Sequence, residues 1–370
     1  MKTVLVAGAS GLVGQAALRR FASIPGWNAI GVSRRATAVA GTTVIGLDLL
    51  DRRGCELFAE EHGKEITHLV YAAVSERPGM VDGWFDQTSI ERNASMLRNL
   101  FHPLERGATG LEHVSLLQGT KAYGIHHPAL GLDGLHLPLR EREPRRDHPN
   151  FYFAQEDYLL DRQRTGRWGL TVLRPTVVYG DAAGSNMNPL LAIGVYAALE
   201  REQGRALDFP GHTYESTRAQ EAVDCDLVAD ALAWAAEAPE ARGATFNVTN
   251  GDTFNWPSVW PSIAESFGMA PGVQRPMSFV DDLAGRDAEW RRLHERHGLS
   301  GPTSIIDLVG ANSLLYADWA FNAGLSTSGV LNSTIALRRA GFNDCLDTED
   351  MFTSWFRRLQ DGTVLPRRPV

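Results

Sequence analysis

The chain has 370 residues, 44% hydrophobic and 22% charged, enough for one large α/β domain with a smaller lobe or for two domains. A net charge of −8 with no long basic run argues against non-specific nucleic-acid binding, and no apolar stretch is long enough to span a bilayer. The opening MKTVLVAG shows no secretory leader, and Cys55, Cys225 and Cys345 are too few and too scattered for a disulfide framework; a soluble cytoplasmic protein with reduced thiols is expected.

Residues 3–7 form a short apolar, β-branched run. Next come Gly8-Ala9-Ser10-Gly11-Leu12-Val13-Gly14 and a helical stretch, QAALRRFASI. Further strands are predicted over 28–32, 43–47, 67–74, 111–119, 169–180 and 244–252. Helical spacing fills 86–106 and 150–164, and a polar helix follows Asp48. Strands that alternate with helices predict a doubly wound parallel sheet of Rossmann type, covered on both faces. After Gly180 the pattern loosens into mainly helical segments that hold much of the Trp. Trp290, Trp319 and Trp355 are expected to pack a core or wall a pocket.

The glycine triplet stands between a strand and a helix, the context a dinucleotide-binding turn requires. Gly8 permits the tight turn, Gly11 lets the backbone approach a pyrophosphate, and Gly14 allows close helix–strand contact. The helix start then offers free N–H groups to phosphate, with Ser10, Leu12 and Val13 as further candidate contacts. Beyond the second strand stand Ser33-Arg34-Arg35, where an NAD enzyme often has an acid; Arg suits a 2′-phosphate, so NADPH/NADP+ is the expected cofactor. Asp48, with Leu49, is placed for the adenine, and Ala73 and Val74 for the adenosine ribose. Leu117 and Gln118, ending the fifth strand, complete the candidate cofactor contacts on this part of the chain. Residues 1–180 therefore read as an NADPH-binding Rossmann domain. Residues 181–370 read as mainly a substrate-binding lobe on the sheet's C-terminal edge, with a strand near 244–250 returning to the Rossmann core.

Two absences shape the chemistry. Eleven His are scattered without metal-ligand spacing, and the adjacent His126 and His127 read as surface or loop residues, so no metal is expected. None of the eight Tyr is followed by Lys four residues on; Tyr152 has Glu156 there. A hydride-transfer enzyme built on this chain must take its Tyr and Lys from different segments. Cation usage is lopsided, with 33 Arg against Lys2, Lys64 and Lys121. Arg is the default here, so a Lys marks a place where a compact, pKa-tunable ammonium has a use.

The run Asn150-Phe151-Tyr152-Phe153-Ala154-Gln155-Glu156-Asp157 resembles the NFYYxxED signature of the progesterone 5β-reductase and iridoid synthase-like enone reductases, an atypical branch of the short-chain dehydrogenases. Gly119-Thr120-Lys121-Ala122-Tyr123-Gly124 resembles that family's GxKxYxG segment, Ser33-Arg34-Arg35 its ARR, and Phe246-Asn247-Val248-Thr249-Asn250-Gly251-Asp252 its FNVSNGD. The resemblance implies that Tyr152 donates to a substrate carbonyl and that Lys121 replaces the missing Lys, favouring the ionised phenol and binding the nicotinamide ribose. It also implies nicotinamide contacts at Pro175 and Val178 and closure over that ring by Ser185, Asn186 and Met187. Phe342 and Trp355 are candidate pocket walls.

Departures fall mostly on the substrate side. Val177 replaces the family's Asn, Ala73-Val74 its Thr-Trp, and Phe153 its second Tyr, and the loop from Ile125 to Pro149 has little similarity. Four readings follow: an NADPH-dependent 1,4-reductase of enones or enals, a carbonyl reductase, a nucleotide-sugar epimerase, and a non-catalytic NADPH-binding protein. The expected partner is a small-molecule enone, enal or carbonyl substrate, with no nucleic acid or membrane, and a homodimer is the candidate assembly.

Overall fold

The computed structural model describes residues 1–35, 39, 41–77, 79, 81–127, 130, 134–212, 218–322 and 329–368. The chain divides into two compact units. The first comprises Met1–Thr176, Cys225–Val248 and Asn332–Asp344; the second comprises Val177–Asp224, Thr249–Leu331 and Cys345–Val370.

The first unit is built on β1 (Lys2–Ala7), β2 (Trp27–Ser33), β3 (Thr43–Gly46), β4 (His68–Tyr71), β5 (His113–Leu117), β6 (Gly169–Pro175) and a last strand, Ala244–Val248. Every pairing is parallel, and the order is Ala244–Val248, β6, β5, β4, β1, β2, β3. The helices α1 (Leu12–Ser23), α2 (Arg52–His62), α3 (Val81–Phe85), α4 (Gln87–Gly107) and α5 (Phe151–Gln163) connect these strands, and Cys225–Glu237 precedes the last one. This is the doubly wound sheet that the alternation predicts. Parallel strands buried on both faces read as continuous apolar runs, and β6 is buried along all seven residues. The chain moves outward from β1 to β2 and β3, then returns to β4 on the other side of β1. That reversal opens a crevice at the carboxyl ends of β1 and β4.

The predicted sixth strand, 169–180, is two strands. β6 stops at Pro175, which has no N–H to continue the ladder, and Val177–Tyr179 pairs with Ala222–Asp224 in the second unit. The last predicted strand ends at Val248, because Asn250 leaves the sheet and donates its N–H to Ala222 at 2.8 Å.

The second unit is mainly helical. α6 (Pro189–Glu202) is capped by Asn188 and buried almost throughout. Trp256, Trp260, Phe279, Phe321 and Phe352 form its aromatic core, with Trp256 and Phe321 centroids 4.3 Å apart. Glu200, 2% exposed, is neutralised by Arg286 at 2.8 Å and Arg205 at 3.2 Å. No helix among the described residues is long and apolar enough to cross a membrane.

Candidate functional site

The turn from β1 into α1 is forced on its glycines. Gly8 has φ +88, and a Cβ there would lie 2.7 Å from the Ala73 nitrogen. A Cβ on Gly14 would lie 2.1 Å from the Gly8 carbonyl oxygen, so helix and strand could not approach as they do. Gly11 is the N-cap of α1 and carries no capping side chain, whereas α2, α4 and α5 are capped by Asp51, Asp86 and Asn150. The first-turn N–H groups of α1 are thus left for a ligand, and the cradle is one that a Cβ would fill. Leu12 and Val13 are buried beneath it, and the Ser10 carbonyl accepts from Gln15 Nε2 at 3.1 Å.

Other candidates stand at the same carboxyl edge of the sheet. Ser33 is buried at the end of β2 and donates to the Arg35 carbonyl, which shapes a turn presenting exposed Arg34 and Arg35. Past β3, exposed Asp48 accepts the Leu50 N–H at 2.9 Å, while the Leu49 carbonyl accepts from Asn99 Nδ2 at 3.0 Å. Ala73 and Val74 follow β4, with Ala73 against Gly8. Leu117 ends β5 and Pro175 ends β6. The dinucleotide-type cradle and the Arg pair fit a phosphorylated dinucleotide. Val178, Ser185, Asn186 and Met187 belong to the second unit; there Ser313 Oγ donates to the Ser185 carbonyl at 2.6 Å and Asn312 Nδ2 to Asn186 Oδ1 at 3.2 Å.

Tyr152 lies in the first turn of α5, buried with Phe151, Ala122 and Ile90. Its hydroxyl reaches Gly119, where a Cβ would stand 3.4 Å from that oxygen and 3.4 Å from the Pro175 carbonyl oxygen. Lys121 sits two residues on, in the 3₁₀ turn Thr120–Tyr123 that closes with left-handed Gly124, φ 72. Asn150 joins the two segments. Its Oδ1 accepts the Tyr152 N–H at 3.0 Å, and its Nδ2 donates to the Lys121 carbonyl at 3.0 Å. The turn is also pinned by Tyr123, whose hydroxyl donates to Asn247 Oδ1 at 2.6 Å.

The Gln118 side chain serves the helix of Tyr152. Its Nε2 donates to the Tyr152 carbonyl at 3.2 Å and to Glu156 Oε2 at 2.8 Å, while its Oε1 accepts from Arg174 Nε at 2.9 Å. Arg145 and Arg174 balance the Glu156 charge, at 3.2 and 3.5 Å. Such a buried network fixes an orientation because each member is satisfied.

Lys121 is nearly buried and meets Glu76, at 3.3 Å, on the loop after β4. Desolvation draws the ammonium's pKa below its ordinary value, and the Glu76 charge opposes the fall. The sequence carries no signal for the roles of Glu76 and Trp84, whereas Asn150 opens the quoted signature and stands where a helix cap is expected, just before Phe151.

Three readings need correcting or refining. His126 is buried, not a surface residue: it stacks on Phe85 at 5.2 Å and meets Trp84 and His148 edge-on. Desolvation pushes its imidazole down to about 2, so it is neutral. Among the described residues the nitrogens of His126, His127 and His148 do not gather closely enough to hold a metal. Phe342 is a core residue that packs on Trp234, and Trp355 is buried with its indole N–H on Asp224 at 2.9 Å.

The chain is similar to several known proteins. The sequence model of the PRISE-like Rossmann-fold domain matches residues 35–311. The chain is 29% identical to (S)-8-oxocitronellyl enol synthase of Catharanthus roseus, over 98% of its own length and 92% of the relative's. It is 28% identical to 3-oxo-Δ4,5-steroid 5β-reductase of Arabidopsis thaliana, with the same two coverages. Among solved structures, UDP-glucose 4-epimerase of Thermotoga maritima aligns with TM-score 0.65 at 15% identity, covering 97% of this chain and 99% of that one. WbmH of Bordetella bronchiseptica, solved with NAD+, aligns with TM-score 0.64 at 13% identity, covering 98% and 99%. These two likenesses concern the fold alone.

Proposed function

The chain belongs to the family of PRISE-like Rossmann-fold domains, and from that premise we propose that it is an NADPH-dependent reductase of activated C=C bonds. It is an oxidoreductase of the short-chain dehydrogenase/reductase superfamily, as are the enol synthase and the steroid 5β-reductase it resembles. The observation that carries the reading is the joining of Tyr152 and Lys121 through Asn150 at the carboxyl edge of the sheet. Two segments there supply what a single YxxxK helix supplies elsewhere.

The Gly8–Gly14 turn and the first turn of α1 would hold the pyrophosphate, and Arg34 and Arg35 the 2′-phosphate. When bound, NADPH supplies the hydride. The protein's task is then electrostatic. As the β-carbon of an enone gains its new C–H bond, the π electrons shift and the carbonyl oxygen takes on enolate charge. Tyr152 donates a hydrogen bond to that oxygen, an interaction stronger in the transition state than in the ground state. The Lys121 ammonium favours the ionised phenol, which eases proton transfer from Tyr152. The enolate oxygen takes the Tyr152 proton, and the resulting enol becomes the saturated carbonyl compound by gaining a proton at its α-carbon and losing the one on oxygen, while Tyr152 regains its proton from water.

The name of the Arabidopsis relative describes a ketone conjugated to a C=C bond, which supports an enone as the substrate class. The same residues could serve hydride addition at C=O. The deciding experiment incubates the protein with NADPH and a panel of 2-enones and enals and identifies the products. A saturated ketone or aldehyde is expected; an allylic alcohol would assign carbonyl reduction instead.

A further inference from the structure

Lys121 is held by an acid that lies outside all the motifs quoted above. Glu76 follows Ala73-Val74-Ser75, and its side chain is 2% exposed against 15% for Lys121. Its Oε1 accepts from Lys121 Nζ at 3.3 Å and from Trp84 Nε1 at 3.3 Å. The ammonium in turn lies 4.0 Å from the centroid of the Trp84 ring, so acid, cation and indole meet one another in pairs. Glu76 Oε2 is also buried and has no hydrogen-bond partner among the described residues.

The loop that carries Glu76 is fixed to the elements around Tyr152. Asn93 on α4 accepts the Ser75 N–H at 2.8 Å and donates to its carbonyl at 3.0 Å. Gln155 on α5 donates to the Asn93 carbonyl at 3.1 Å. The acid is therefore positioned by the same two helices that position the phenol. A buried ammonium without a counter-charge loses its proton or its place. Arg, the habitual cation of this chain, would take both carboxylate oxygens in a fork; Lys uses one, and its compact head fits over an indole.

We propose that Glu76 is the positioning residue of Lys121, keeping the ammonium charged and fixed, so that the site works as Tyr152, Lys121 and Glu76 together. This rests on the reading of Tyr152 and Lys121 as the working pair. Among the described residues, two other titratable groups belong to this surrounding. His126, from the loop beyond the Lys121 turn, is held neutral by burial, and Tyr152, on α5, has its hydroxyl at Gly119. Among the described residues, Glu76 is then the acid that opposes loss of the Lys121 proton.

The test uses the scarcity of lysine. Full-length protein grown with lysine carrying 13C at Cε gives three side-chain signals, assigned through Lys2→Arg and Lys64→Arg. In Glu76→Gln the Lys121 titration midpoint should fall by about one pH unit or more, and kcat by about tenfold or more, its high-pH limb moving down with the midpoint. If Glu76→Gln does not fold, Glu76→Asp carries the test, with a smaller fall of the same sign. An unmoved midpoint in a folded Glu76 variant overturns the proposal, as does a moved midpoint with unchanged kcat and pH profile. Wild-type protein that turns over no enone, enal or carbonyl compound would instead defeat the reading of the site, while the titration still reports on the ion pair.

Discussion

Asn150 Nδ2 donates to the backbone carbonyl of Lys121 at 3.0 Å, across the whole loop that separates the two residues in sequence. The other end of the same amide caps the helix that begins with Phe151-Tyr152. One side chain thus aligns a turn and a helix that no covalent neighbourhood would align.

Asn150→Asp separates these two tasks. The carboxylate still accepts the Tyr152 N–H, so the cap is kept, but it cannot donate to Lys121 and repels that carbonyl. The melting temperature should stay close to wild type while kcat drops. Asn150→Ala should lose both, with about 1 kcal/mol of stability gone along with the rate. Denaturation midpoints and steady-state rates on both variants check this; equal activity in Asn150→Asp and wild type would remove the link from the mechanism.

Tyr152→Phe removes the donor aimed at the developing enolate. Loss of one such donor costs on the order of 10²–10³ in kcat. Lys121→Ala should fall comparably, and cofactor affinity should weaken more in that variant than in Tyr152→Phe. Circular dichroism should show both folded. Near-wild-type turnover by both would leave the chemistry to other residues.

Arg34 and Arg35 are exposed at the end of β2, free of any nearby acid in the chain's local sequence. A charge-assisted bond to a 2′-phosphate contributes about 1.5–3 kcal/mol. The preference for NADPH over NADH should therefore shrink by roughly tenfold or more in Arg34→Ala or Arg35→Ala, with NADH affinity nearly unchanged. Titration of each variant with both cofactors measures the ratio. Wild-type protein that binds the two equally would withdraw the role from this pair.

Much of the first unit could be read directly from its sequence. Short apolar runs separated by helical spacing gave the parallel sheet, because burial on both faces leaves no alternation to misread. The Gly turn was legible because its spacing is enforced by backbone contacts, those of Gly14 with Gly8 above all. Val177-Val178-Tyr179 was not, since a β-branched run says that a strand forms but not which sheet it joins. Glu76 was hidden for another reason. An acid in a loop looks solvated, and its burial arises only when α3, α4 and the Lys121 turn close around it. His126 was misjudged in the same way, as its ring partners Phe85 and His148 lie far off in sequence.

Acid should weaken the fold well above the usual carboxylate range. Desolvation holds the buried imidazoles of His68 at about 4, His113 at about 3 and His126 at about 2. In the unfolded chain each returns to about 6.5 and binds a proton the native state refuses. The unfolded state then holds more protons below about 6.5, so stability is full above that pH and declines as pH falls through it. Each such His contributes up to ~1.4 kcal/mol per pH unit. Urea midpoints between pH 7.5 and 5.5 should fall, and less steeply in His113→Phe, whose ring nitrogens have no hydrogen-bond partner to lose among the described residues. An identical slope in that variant would place the proton uptake elsewhere.

The order of the strands also bears on how the chain is made. β6 is buried throughout, and the strand that covers its outer side, Ala244–Val248, is synthesised only after the excursion through Val177–Asp224 and the helix Cys225–Glu237. Until Val248 has left the ribosome, Leu170, Val172 and Leu173 stand on an open edge of unpaired backbone, the surface on which nascent chains join one another. A chain cut short before that strand would carry the buried β6 as its edge, whereas in the complete fold the edge is the short strand Ala244–Val248, whose Asn247 N–H is taken by Glu141.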